Sequence, residues 1–154
     1  MTTPGEARAK NRLEPVLLFD IELLNGGGTL CFSDRTITIG STPYHHYILN
    51  ASDVSDAVKR DTSTGDNPAV TIIFNNKSFR TYLHLSLIAA TYPFSGGKVT
   101  IQEVYLDDDG NPSTAETLFV GRLEEIKAET IEQFTLVAMN IKESNSLQNT
   151  GRVN

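Results

Sequence analysis

Apolar and polar positions alternate along most of this chain, and that alternation predicts strands. Residues 16–24 alternate around Asp20 and Glu22 and read as a strand. Gly26-Gly27-Gly28 follows as a turn, because glycine reaches positive φ without steric cost. Residues 29–32 return as a second strand, so 16–32 read as a hairpin. Thr36-Ile37-Thr38-Ile39 alternates again and is closed by Gly40 and Pro43. Residues 44–49 are rich in types that suit a pleated surface. Residues 54–60 read as a further strand, 61–68 as a polar turn, and Ala69-Val70-Thr71-Ile72-Ile73-Phe74 as the clearest strand in the chain. Over 79–90 the period changes. Phe79, Leu83, Leu87 and Ala90 fall at helical spacing and Ser78 is placed to cap the start, so a helix is predicted there, although Leu83, Leu85 and Leu87 also alternate. Strands resume at 99–106, turn through the polar segment 107–113, and continue at 118–126 and 134–141.

These elements predict a mainly β fold: a β-barrel or sandwich with one short α-helix. The expected organisation is a flexible arm at 1–14, a single domain at 15–142 and a polar tail at 143–154. The residues expected to close the barrel are Val70, Ile72, Phe74, Val99, Ile101, Leu118, Val120, Leu136 and Val137, with Gly121 allowing a bend.

At 154 residues and 16.9 kDa the chain is the length of one domain. Thirteen basic against nineteen acidic residues give a net charge of −6, so a phosphate-binding surface is not the default. The lone Cys31 excludes a disulfide framework within the chain and reads as a structural residue of a strand. No apolar run has the length of a membrane span. The basic residues near the start precede no signal-peptide core, which predicts synthesis in the cytoplasm. The sequons at Asn50 and Asn76 then read as chance matches.

The chemical candidates are weak. His45-His46 are adjacent on a strand and should point to opposite faces, one buried and one exposed, which does not make a metal site with His84. Asp107-Asp108-Asp109-Gly110, with Glu116 further on, resembles part of a calcium loop. Tyr105 occupies the first ligand position, however, so a solvated hairpin turn is the better reading. The glycine triplet precedes no helix and lacks the Lys-Ser/Thr of a phosphate loop. No nucleophile elbow is present. Glu124, Glu125, Glu129 and Glu132 form an acidic run, read as a solvated or subunit-facing stripe. Arg122 and Lys127, interleaved with Glu124 and Glu125, are the candidates for ion pairs between subunits. No catalytic, cofactor or metal residues are assigned.

The ordered set of segments does resemble a family. A strand enters the acidic turn Val104-Tyr105-Leu106-Asp107-Asp108-Asp109-Gly110. The returning strand then carries Phe119-Val120-Gly121-Arg122-Leu123-Glu124, and a further strand leads to Ser146-Leu147-Gln148-Asn149-Thr150-Gly151-Arg152. Over about residues 16–152 the pattern is similar to the distal-tail and baseplate-hub proteins of tailed bacteriophages and phage-derived gene transfer particles. The resemblance implies a tail-tube-like β-barrel and a structural virion protein with neither enzymatic activity nor cofactor. It implies a homo-oligomeric ring, trimer or hexamer, around the tail axis, which joins the tail tube to hub and tip proteins. DNA would pass through the ring without specific binding, and no membrane is involved. Larger hub relatives carry further C-terminal domains, so this chain would be a minimal version. The competing expectation is a β-barrel module for a small ligand or carbohydrate, with Tyr44, Tyr47, Tyr82 and Tyr92 as an aromatic platform; the absence of tryptophan counts against it.

Overall fold

The computed structural model describes residues 14–52 and 69–140. The strand and turn expected over 54–68, the tail expected over 143–154 and, apart from Glu14, the arm expected over 1–14 lie outside the described residues.

Among the described residues nine strands form one sheet: β1 (Glu14–Leu23), β2 (Gly28–Ser33), β3 (Ile37–Ile39), β4 (Thr42–His46), β5 (Ile48–Ser52), β6 (Ala69–Asn75), β7 (Lys98–Leu106), β8 (Glu116–Glu129) and β9 (Gln133–Asn140). Their order is β3-β4-β2-β1-β7-β8-β9-β6-β5, and every pairing is antiparallel except β2 with β4. The mainly β expectation holds. The ladder is not closed, since β3 and β5 are its two edges. The sheet nevertheless curls until its flanks meet. Phe32 of β2 lies 6.1 Å from Phe74 of β6, centroid to centroid.

Residues 44–49, expected as one strand, divide at Tyr47. Up to His46 the chain pairs with β2, and from Ile48 it pairs with β6. One residue therefore carries the backbone across the seam of the curled sheet. Tyr47 is held there by its hydroxyl, which donates to the Ser78 carbonyl at 2.5 Å, and by its own carbonyl, which accepts from the Asn75 N–H at 2.7 Å.

The inward face follows the period-2 pattern. Phe19, Ile21 and Leu23 of β1 meet Val70, Ile72 and Phe74 of β6, Val99 and Ile101 of β7, and Phe134, Leu136 and Ala138 of β9 in one core. Phe74 and Phe134 stack at 4.7 Å, with Phe94 on the far side at 5.9 Å. Each ring taken from water contributes about 2 kcal/mol. On β8 the expectation holds in part. Phe119 and Leu123 are buried in the main core and half-buried Leu118 packs against it, whereas Val120, like Val137 on β9, is half-buried and belongs to neither core. Each strand reads apolar on both faces, so period alone does not say which set points in. A smaller core lies on the outer face, where Val16, Leu18 and Val104 pack under Tyr44.

The helix expected over 79–90 shrinks to a 3₁₀ helix, Leu85–Ala90. Phe79 and Tyr82 bond each other's backbone in a tight turn, with Arg80 at φ +55°, and this blocks a helix from starting at Ser78. The apolar residues the segment buries are Phe79, Leu85 and Ile88. Leu83 and Leu87 face outward.

Candidate functional site

Residues 76–97 cross one end of the barrel, and a buried asparagine fixes them there. Asn76 is 3% exposed. Its Nδ2 donates to the Thr130 carbonyl and its Oδ1 accepts from the Ser86 N–H, both at 2.8 Å. The Asn76 N–H donates to the Glu132 carbonyl at 2.8 Å, and Ser86 Oγ donates to Glu129 Oε2 at 2.9 Å. The start of the 3₁₀ helix is thereby tied to the β8–β9 turn. The far end of the segment is tied to the β1–β2 turn, where a Cβ on Gly27 would stand 2.9 Å from the Tyr92 ring. Replacing Asn76 with alanine leaves the buried Ser86 N–H without an acceptor and the Thr130 carbonyl without its donor. The expected loss is about 3 kcal/mol, read from urea denaturation followed by circular dichroism.

This end gathers exposed apolar side chains. Leu83 is 71% exposed and Leu87 42% on the crossing segment, Ile131 is 75% exposed in the β8–β9 turn, and Leu24 is 45% exposed in the β1–β2 turn. Aliphatic residues left in water together at one end mark a contact surface more than scattered ones do. The helical spacing that suggested a core stripe through Leu83 and Leu87 in fact marks outward-facing positions.

The four residues expected at a subunit interface stand on β8 along the flank that leads to this end, and all are exposed. Two bulges, between Leu123 and Ile126 and between Ile126 and Ala128, bend the strand where it continues beyond β7. Lys127 Nζ lies 4.0 Å from Glu124 Oε1. Arg122 Nη1 donates to the Gly96 carbonyl at 2.8 Å, so part of its fork serves its own chain. Glu125 is a neighbour in sequence on the same bulged stretch.

The other candidates are drawn into structure. His45 and His46 are both exposed, contrary to the expected split, because Tyr44 takes the buried position over the outer-face core and the chain then leaves the strand at Tyr47. His45 packs edge-on against Phe79 at 5.6 Å. His84 is separate from them, with Nδ1 3.2 Å from the Asn76 carbonyl. Asp107 Oδ1 accepts from the N–H groups of Asp109 at 2.9 Å and Asn111 at 2.8 Å, and Gly110 sits at φ +85°. That is how an aspartate-glycine turn organises its own backbone. The four tyrosines do not form a platform: Tyr44 belongs to the small outer core, and Tyr47, Tyr82 and Tyr92 to the main one. Among the described residues no group of three or more His, Cys, Asp or Glu could hold a metal ion, and no helix is long and apolar enough to cross a membrane.

Among the described residues three titratable groups are perturbed. Burial, with the Asp20 carboxylate beside them, pushes the Tyr44 hydroxyl and the Cys31 thiol up from their ordinary values, and burial alone does so for Tyr47. Cys31 is thus kept as the unreactive thiol. The tyrosines keep their protons in the fold at a pH where the unfolded chain releases them near pH 10. Their stabilisation is complete below that pH and is lost as pH rises above it. Unfolding free energies measured at about pH 8 and about pH 11 should therefore fall, by at most about 1.4 kcal/mol per pH unit per group. Tyr44→Phe should flatten the decline.

No family model matches the sequence, and no curated protein matches it. The fold does match a solved structure, a chain of the virion of a native gene transfer agent particle. The TM-score is 0.59 at 12% identity, over 90% of this chain and 44% of that one. At that identity the likeness is one of fold, and this chain spans less than half the length of the virion chain.

Proposed function

We propose that this chain is a structural protein of a tailed-phage or gene-transfer-particle virion, built into the tail tip as a hub or distal-tail ring. The observation that carries this reading is the fold shared with a virion chain over nine-tenths of the molecule. A shared fold supports function by analogy, so the second support is local. The exposed leucines and Ile131 collect at one end, beside the β8 flank that carries Arg122, Glu124, Glu125 and Lys127. In this reading copies assemble around the tail axis as a trimer or hexamer. The apolar end seats on the tail tube or on tip proteins, and the charged flank sets the register between subunits. DNA passes the ring without specific binding, the acidic balance repelling phosphate. The protein is made in the host cytoplasm, works without cofactor or membrane and catalyses no reaction.

The test is gold-antibody labelling of intact and tip-disrupted particles, viewed by negative-stain electron microscopy. Label confined to the tail tip is the expected result. Label absent from both preparations removes the reading.

A further inference from the structure

We infer that the β3–β4 hairpin is a clasp that opens as a unit while the rest of the sheet stays paired. Its attachment is slight. β4 joins the sheet through two parallel pairs with β2, Phe32 with His45 and Ser33 with His46, whereas β1 and β7 pair continuously from Glu14–Leu106 to Glu22–Lys98. Among the described residues β3 pairs with β4 alone. Most of the hairpin's packing is also separate: Tyr44, with Ile37 and Ile39, covers Val16, Leu18 and Val104 on the outer face, a core distinct from the one inside the barrel, while exposed His45 touches the main core edge-on at Phe79.

Closure has an unfavourable term built in. Beneath the hairpin the Asp20 Oδ1 is buried without a hydrogen-bond donor, although the carboxylate is hydrogen-bonded by the Tyr44 hydroxyl and the Cys31 thiol. Opening returns that oxygen to water, which lowers the free energy of opening relative to a wholly apolar seam. The pivot is fixed: at its C-terminal end the hairpin meets Tyr47, whose ring packs against Phe32 at 5.1 Å and Phe79 at 5.3 Å. Swinging about Tyr47 bares the strip of Val16, Leu18 and Val104 and leaves β1 and β7 in register.

Amide hydrogen exchange on the unmodified chain, in a series of low urea concentrations, tests this. A clasp requires the amides of β3 and β4 to exchange as one class, about 100-fold faster than those of β1 and β7, with little urea dependence. Tyr44→Ala should speed that class by a further factor of about ten and raise the alkylation rate of Cys31, with β1 and β7 unchanged. Hairpin amides that exchange in step with β1 and β7 at every urea concentration overturn the inference. That measurement decides even if the variant does not fold. A folded Tyr44→Ala variant with hairpin exchange unchanged overturns it equally.

Discussion

Gly121→Ala is expected to lower the folding free energy by about 3 kcal/mol, at the upper end for an overpacked core, and Gly121→Val to leave no folded protein. The reason is space. A Cβ at Gly121 would stand 2.4 Å from the Phe119 ring and 2.8 Å from the Met139 carbonyl. Phe119 lies two residues back on the same face of β8, 3% exposed, with its ring laid over the glycine. The ring cannot swing away without leaving the core, and the carbonyl belongs to the paired strand β9, so neither neighbour yields cheaply. Valine adds two further methyl groups to a domain whose whole stability is on the order of 5–15 kcal/mol. Gly40 is the control. It sits at φ +64° with nothing near its missing Cβ, so Gly40→Ala carries only backbone strain, about 1 kcal/mol. Urea denaturation of the two alanine variants separates the two mechanisms. Equal losses at Gly121→Ala and Gly40→Ala would show that conformation, not space, governs Gly121.

That contrast shows what was legible in the sequence. The Gly-Arg step on β8 stood out as a pattern, and Gly121 was read as a bend. Its role is close packing, which depends on a ring two residues away and a strand some eighteen residues on. Strand existence was legible because it is local: alternation placed β1, β2, β6, β7 and β9 nearly where they lie. Facing was not. β8 offers Val120 as well as Phe119 and Leu123, and only the curl of the sheet selects the latter pair, while Leu118 packs on the same core beside a register shift. The crossing segment misled for a related reason. Leu83 and Leu87 match a helical stripe, but Arg80 in the left-handed region and the Phe79–Tyr82 turn override the periodicity and turn both leucines outward.

The candidate site was legible by half. The charged residues of β8 could be picked out by composition and are exposed on one flank. The apolar end beside them could not, because an exposed leucine and a core leucine look alike until the chain is folded. Asn76, which holds that end together, sits in a polar stretch, Asn75-Asn76-Lys77-Ser78, where nothing local separates a buried bracket from a solvated turn.

Joining those two halves gives the second large effect: Leu83→Asp combined with Ile131→Asp should abolish incorporation into particles and leave the monomer folded. Both side chains are more than two-thirds exposed, so the fold does not depend on them, and each substitution should change monomer stability by no more than about 0.5 kcal/mol. In an assembled contact the same carboxylates would be buried without partners. At about 2 kcal/mol for each interface anchor, the pair weakens docking by a factor of about a thousand. The flank behaves differently. Arg122→Glu removes the bond to the Gly96 carbonyl and costs the monomer about 1 kcal/mol, so a fair test of the interface reverses Glu124 and Glu125 to lysine and leaves Arg122 in place. Particle incorporation is scored by immunoblot of purified particles, and the fold of each free variant by circular dichroism. A folded apolar-end variant that still incorporates at the parent level refutes that end as the docking surface. If the Glu124-Glu125 reversal alone prevents incorporation, the charged flank carries the contact instead.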